Sequence, residues 1–429
     1  MSAPRHTQAD SPDDTTTLPH HPRQERRAPG RRDDLPARPD HEVSREDERN
    51  DLSTTQKALR WVGVLLALYL LVCAVGAIGD GFKALGEDAA RGLFDFAANP
   101  VVALFVGLLA TSIIQSSSTT TSIVVAAVAS GAMPLSVGIP MIMGANIGTS
   151  VTNSLASLGH VTNKREFKPA FTSATMHDFF NLLAVAILLP LELLTGFLER
   201  VSGAMADAFA GVYAPDPGEA DIVSLMTDPV VDLVTGLTLA IPGVMGPVAT
   251  IVLGVAMIFL AVRLLGSLLQ SVMVGTARRI LHSAVGKNPV VAMIAGTVVT
   301  VLVQSSSVTT SMMVPFAGSG ALTPRQIYPM TLGANVGTTF TALLAAMALS
   351  GTDGAEIALQ VAFVHLLFNV TGIVVIYVLP FLRDVPLRAA GTLAAVATER
   401  RSLAAVYIVG TFLAIPGLVV LASAMTTAF

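Results

Sequence analysis

Two copies of one polar octapeptide interrupt an apolar chain of 429 residues: QSSSTTTS from Gln115 to Ser122, and QSSSVTTS from Gln304 to Ser311. A glutamine followed by three serines offers amide and hydroxyl donors without a fixed charge. In apolar surroundings such groups cost roughly several kcal/mol each when unpaired, so a role beyond packing is expected. A helix that starts just after the serines puts Ser117 and Ser118, and likewise Ser306 and Ser307, at or near its N-cap. Its free N–H groups and positive dipole end then face the tip, an arrangement suited to an oxyanion. The candidate anion ligands are Gln115, Ser116, Ser117, Ser118, Gln304, Ser305, Ser306 and Ser307. No fixed cation among them would hold the anion too tightly to release.

Downstream of each copy lies a second polar stretch, GANIGTSVTN from Gly144 and GANVGTTFT from Gly333. Two glycines and an asparagine inside a membrane-length helix predict local unwinding there. The freed carbonyls, amide oxygens and hydroxyls are neutral hard ligands suited to Na+. Asn146, Thr149, Thr152, Asn335, Thr338 and Thr341 are the cation candidates, with Ser118, Thr119, Thr120, Ser307, Thr309 and Thr310 of the hairpin helices in support. A third segment carries HDFFN from His177 and HLLFN from His365. Each His has its Asn one helical turn away on the same face, which reads as a structural interhelical hydrogen bond. Asp178 has no counterpart, since Leu366 stands in its place, and an unpaired intramembrane acid is a functional candidate by default. It is assigned to an additional cation site.

The elements that position these groups follow from composition and from the repeat. Charged residues make up 13% of the chain and its mean hydropathy is +0.65, far from the ~25% charged content of a soluble domain. The fold class expected is an all-α polytopic membrane protein. Residues 1–57 are rich in Pro, Arg, Asp and Glu and read as a disordered cytoplasmic tail. From Asn99 and Asn288 onward, 25 of 51 positions are identical at a constant offset of 189, so the chain is an internal duplication. Around each QSSS, apolar runs of 14 or 15 residues are too short to span a bilayer, which takes about 20. Each pair therefore reads as a re-entrant hairpin with its polar tip inside the membrane.

Each unit then comprises a spanning helix, a hairpin, a broken helix and another spanning helix: repeat 1 at 58–198 and repeat 2 at 242–385. An acidic external connection, 199–241, separates them, and 386–429 form a cytoplasmic loop and a last helix. Three crossings per unit invert the second relative to the first. Loop charges agree with a cytoplasmic amino terminus: Lys164, Arg165, Lys168, Arg278, Arg279, Lys287, Arg383, Arg388, Arg400 and Arg401 fall inside. Lys83 and Arg91 are on the other side. Inverted repeats with broken helices point to a secondary transporter. One cysteine, Cys73, excludes an intrachain disulfide, and no zinc or haem motif is present.

The paired QSSS tips, the two GAN segments and HDFFN resemble the type II sodium-dependent phosphate cotransporter family over roughly Asn99 to Pro380. The resemblance implies import of inorganic phosphate with Na+ as coupling ion and no other cofactor, with the tips at the phosphate and Na+ sites. It also implies that the acid of electrogenic members is Asp178, and that Lys168 stands at a basic position said to help phosphate; the next basic position of the family is Pro169 here. The disulfide-bearing loop of animal members has no equivalent. The expected partners are phosphate, Na+ and the lipid bilayer of the plasma membrane, with a homodimer left open and no nucleic acid. Symport of sulfate or arsenate shares every physical argument. A passive anion channel would also use hairpins but would carry current without Na+ coupling. A hydrolase is disfavoured, since no GxSxG elbow or paired catalytic acid accompanies the Ser and His residues.

Overall fold

The structure, a computed structural model, describes residues 53–86, 89, 97–213, 217–284, 288–347, 349 and 354–427. All but the last five residues of the tail read over 1–57, together with Arg91 and Lys287, lie outside the described residues. Helix α1 (Thr54–Leu85) opens on a capping box. Ser53 Oγ accepts from the Gln56 N–H at 3.2 Å, and Gln56 Oε1 accepts from the Ser53 N–H at 3.1 Å. Two orphan donors are thereby satisfied, which sets the start of the helix well ahead of its apolar run.

The first hairpin is α2 (Pro100–Ile114) followed by α3 (Ser117–Ala129). Next come α4 (Leu135–Thr149), α5 (Val151–Ser157) and a single 3-10 turn, then α6 (Lys164–Thr195). The acidic connection is itself helical, with α7 (Phe197–Tyr213) and α8 (Pro217–Thr238). The second unit runs through α9 (Met245–Ala284), the hairpin helices α10 (Pro289–Val303), α11 (Ser306–Ser311) and α12 (Val314–Gly318), then α13 (Pro324–Met347) and α14 (Ala355–Gly372). Helices α15 (Pro380–Glu399), α16 (Ser402–Val409) and α17 (Ile415–Thr427) close the chain. Asn99 and Asn288 cap α2 and α10, each followed by a proline in the first turn.

Among the described residues seven stretches are long and apolar enough to cross a membrane: Thr54–Leu85, Leu135–His160, Lys164–Thr195, Met245–Met273, Pro324–Met347, Ala355–Val378 and Ser402–Thr426. Helices α2, α3 and α10, of 15, 13 and 15 residues, fall short of the roughly 20 needed. Large apolar side chains such as Leu65, Leu66, Val252 and Leu260 are exposed on α1 and α9, while Asn146, His177, Asp178 and Asn335 are buried. Polar groups inside and apolar groups outside is the distribution that lipid favours.

The expected unwinding at the GAN segments is corrected by the structure. Helix α13 runs unbroken through GANVGTT, and α4 continues through GANIGT to a break only at Ser150. The glycines serve close approach instead. A Cβ on Gly144 would fall on the Leu104 carbonyl, and one on Gly333 on the Met293 carbonyl. Gly107 and Gly296 press in the same way on the Met141 and Met330 carbonyls. Small residues that let two membrane helices meet backbone to backbone explain the pattern in both units.

The hairpins are anchored at different ends of α6. Ala129, at the base of the first, lies against Gly354 just before α14, whose Gln360 donates to the Glu199 carbonyl at 2.9 Å beyond the C-terminus of α6. Gly318, at the base of the second, packs against His160 just before α6 begins. At that same end Lys164 pairs with Glu399 at 3.1 Å, and Arg325 with Asp384 at 3.1 Å.

Candidate functional site

Gln115 and Gln304 are the only non-glycine residues with positive φ among the described residues, at 59° and 54°. A left-handed turn there ends α2 and α10 and lets the next helix start at once. The side chain of each glutamine locks the turn. Gln115 Nε2 donates to the Ser112 carbonyl and Gln304 Nε2 to the Val301 carbonyl. Their Oε1 atoms accept from Thr152 and Thr341, each at 3.0 Å. Identical bonds at both tips tie each hairpin to the following helix of its own unit.

For α3 and α11 the N-cap is Ser116 and Ser305, and Ser117, Ser118, Ser306 and Ser307 follow as the first two residues of each helix. The capping hydroxyls accept from the Thr119 and Val308 N–H groups, both at 3.2 Å. This leaves the backbone N–H groups of Ser117, Ser118, Ser306 and Ser307 in the first turn, where no intrahelical acceptor exists. The glutamines differ in exposure, Gln115 being exposed and Gln304 buried, while Ser117, Ser118 and Ser306 are all buried.

Between the tips a chain of hydrogen bonds crosses from one unit to the other. Thr310 and Ser311 donate to Asn153 Oδ1 at 2.8 and 3.0 Å. Asn153 Nδ2 meets His177 Nδ1 at 3.3 Å, and His177 Nε2 meets Asn335 Oδ1 at 2.6 Å. Asn335 Nδ2 donates to Asn181 Oδ1 at 2.9 Å, and Asn181 Nδ2 to the Asn146 carbonyl at 2.8 Å. Because Asn335 spends its N–H on Asn181, its oxygen must accept, which places the His177 proton on Nε2. Asn369 Nδ2 closes a second crossing to Asn146 Oδ1 at 3.2 Å. A longer contact, Ser118 Oγ to Thr341 Oγ1 at 3.4 Å, joins the first hairpin to the second unit.

The other candidates are placed as follows. Thr120, Thr149, Thr309 and Thr338 bond back to carbonyls of their own helices, and Thr119 Oγ1 lies 2.9 Å from Ser116 Oγ. Asp178 is fully buried, with Oδ2 accepting from Ser154 at 3.1 Å and from Tyr407 at 2.9 Å. Lys168 is exposed near the start of α6, nine residues and so about 14 Å of helix from His177. Among the described residues no hydrogen bond or ion pair joins the Lys168 side chain to a tip residue. His177 makes the interhelical bond expected of it; His365 makes none through its ring. Sequence reasoning missed Asn153, Ser154, Ser311 and Tyr407. A lone tyrosine in the apolar last helix was the available signal, because its hydroxyl needs a partner when buried. A cleft of about 480 Å³ lies apart from the tips, between Asn163, Glu166 and the Gly318–Pro324 turn. No cluster of three His, Cys, Asp or Glu residues is found among the described residues.

The strained glutamines permit a direct check. Gln304→Gly and Gln304→Ala lose the same two side-chain bonds, but only glycine relieves the left-handed backbone. That relief is about 1–2 kcal/mol, less the ~0.5–1 that glycine's freedom in the unfolded chain takes back. In detergent, the alanine variant is expected to melt below the glycine variant; equal Tm values would mean the turn stores no strain.

Fold and site together define a multi-pass helical membrane protein whose two duplicated halves meet at a neutral, hydroxyl- and amide-rich centre. Residues 70–201 and 257–397 match the family model described as Na+/Pi-cotransporter, and the chain belongs to that family. It is 31% identical to sodium-dependent phosphate transport protein 2B of Bos taurus, over 83% of this chain and 64% of the relative. It is 32% identical to protein 2A of Rattus norvegicus, over 90% of this chain and 72% of the relative. The chain thus spans just under two thirds of the bovine protein's length. No solved structure matches it.

Proposed function

We propose that the protein imports inorganic phosphate together with Na+ across the plasma membrane, as a transporter rather than an enzyme. The observation that carries this reading is the pair of tips, each with a serine cap and free first-turn amides, bridged by one neutral hydrogen-bond network. Anchoring of the hairpins at different ends of α6 supports inverted, re-entrant hairpins, and the charges of the Lys164 and Arg400 connections support a cytoplasmic amino terminus. The first-turn amides and the hydroxyls of Ser117, Ser118, Ser306 and Ser307 bind the anion. Gln115 and Gln304 position the tips, while Thr152, Thr341, Asn146 and Asn335 offer oxygens to Na+.

Reconstituted liposomes test this. Labelled phosphate uptake is expected under an inward Na+ gradient and not under an equal K+ gradient, with excess unlabelled sulfate failing to compete. Na+-independent uptake would point to a channel, and sulfate competition to another oxyanion.

Asp178 governs the charge balance in this reading. Carrying a dianion inward against 100 mV takes about 4.6 kcal/mol, at roughly 2.3 per charge, which two Na+ ions only cancel. A third Na+, held at the Asp178 carboxylate whose Oδ1 has no protein partner, makes import electrogenic. Asp178→Leu is expected to leave uptake measurable but electroneutral. A current-to-phosphate ratio equal to that of the wild type would overturn the assignment.

A further inference from the structure

The hydrogen-bonded group around Asn153 has a duplicate that does not close. The repeat offset carries Thr121 and Ser122 to Thr310 and Ser311, and Asn153 to Ala342, while His365 is the counterpart of His177. In one half Asn153 accepts from both hydroxyls and reaches the imidazole. In the other half the carboxamide is missing. Thr121 Oγ1, Ser122 Oγ, both ring nitrogens of His365 and Asn369 Oδ1 have no protein partner there, although each of these residues is only 1% exposed. They account for five of the nine such atoms among the described residues.

Helix packing and the repeat relation together assign these atoms to one neighbourhood. Helix α3 packs against both α13 and α14. Ser118 reaches Thr341, and the repeat relation then assigns Thr121 and Ser122 to the neighbourhood of Ala342, as Thr310 and Ser311 bond to Asn153 in the other half. Thr120 and Thr309 bond back to their own helices; Thr121 does not. Asn369 has already committed its Nδ2 to Asn146 and to the His365 carbonyl, leaving its oxygen as a pure acceptor.

The donor set selects the ligand. Two hydroxyls, a carboxamide oxygen and an imidazole nitrogen are neutral. The pure acceptor repels an anion, and no carboxylate is present to neutralise a divalent ion. A methyl group in place of an asparagine side chain differs from it by about the volume of one water, roughly 30 Å³ of liquid. We propose that Thr121, Ser122, His365 and Asn369 form a Na+ site in which the ion takes the place that the Asn153 side chain fills in the other half. The proposal rests on the Na+ coupling put forward above and deepens it: one half carries a built-in amide where the other takes the ion. Ala342→Asn should therefore mimic the loaded state and remove one ion from the binding count.

The test uses purified protein in detergent without phosphate, with NaCl replacing choline chloride at constant ionic strength. Thermal midpoints and bound ²²Na+ per protein are measured for wild type, Ala342→Asn and Thr121→Val. Ala342→Asn is expected to bind one Na+ fewer and to show a reduced Na+-dependent rise in Tm. Thr121→Val, which keeps the shape, is expected to need on the order of tenfold more Na+ for the same rise, the effect of losing one ligand to a charged group. Should Ala342→Asn fail to fold, Thr121→Val decides alone. Folded variants with wild-type Na+ counts and titrations would mean that the pocket holds water at most, which overturns the site while leaving Na+-driven phosphate uptake intact. A wild type that neither binds ²²Na+ nor takes up phosphate with it would overturn both readings.

Discussion

Asn335→Ala is expected to abolish most transport and to lower the melting temperature in detergent, because one side chain holds the crossing between the halves. Its oxygen accepts from His177 Nε2 and its nitrogen donates to Asn181 Oδ1. Both partners are buried, at 0% exposure. Truncation leaves a donor and an acceptor unpaired, each worth about 1–3 kcal/mol, so a destabilisation of roughly 2–6 kcal/mol is expected from these two groups. The bond order of the network adds a second consequence. With Asn335 gone, nothing fixes the His177 proton on Nε2, and the imidazole is free to reverse its bond to Asn153. That loosens Thr310 and Ser311 on the second hairpin. Phosphate uptake in liposomes is expected to fall on the order of tenfold or more, each 1.36 kcal/mol being a factor of ten. Asn335→Asp, whose carboxylate would be buried against the Asn181 oxygen, should fare no better than alanine on either measurement. Wild-type uptake and Tm in the alanine variant would show that the crossing is decorative.

The second large effect is at the glycines. Gly144→Ala and Gly333→Ala each place a methyl group on a backbone carbonyl of the neighbouring hairpin helix. Backbone cannot swing aside as a side chain can, so α2 must separate from α4, or α10 from α13. Overpacking of this kind costs about 1–3 kcal/mol and occasionally more. Separation also pulls Gln115 from Thr152, or Gln304 from Thr341, since those bonds span the same pairs of segments. Loss of folded protein, read as aggregation in size-exclusion chromatography, is expected for both. Gly266→Ala and Gly391→Ala are the controls, because nothing lies within 4 Å of a Cβ at either position. In a helix interior alanine gains up to about 1 kcal/mol over glycine, so these controls should be neutral or stabilised. Equal behaviour of all four variants would mean that the close approach does not hold the hairpins.

How legible the molecule was in its sequence depends on the range over which each feature is determined. The helical class and the seven membrane-length stretches are properties of local hydropathy, which a short window of sequence contains. The duplication was visible as identity at a fixed offset, and the hairpin turns as QSSS between two runs too short to span. Sequence placed Ser117 and Ser118 at or near the cap, and they are its first two helical residues; which serine caps is decided by backbone φ, since Ser116 at −151° is extended. The GAN segments were expected to unwind from their glycine content. That content is equally what two backbones in contact require, and the sequence of one helix does not say what lies against it.

Partners distant in the chain were decided by tertiary structure alone. Thr310 meets Asn153 across 157 residues and Tyr407 meets Asp178 across 229; no periodicity or spacing records such pairs. Lys168 shares a helix with Asp178, yet ten residues of rise, about 15 Å, separate the two along the axis. The imidazoles were likewise decided by tertiary structure. His177 and His365 are equivalent in sequence, yet His177 has both nitrogens hydrogen-bonded and His365 neither: Ala342 replaces the Asn153 partner of one nitrogen, and Asn146, the counterpart of Asn335, takes Asn369 on its oxygen instead. Composition and repetition by themselves determined what kind of protein this is and which polar groups it places in its interior. Which of those groups are satisfied, and by whom, was decided only when the two halves packed together, because a hydrogen bond depends on positions to a fraction of an ångström that no local stretch of chain contains.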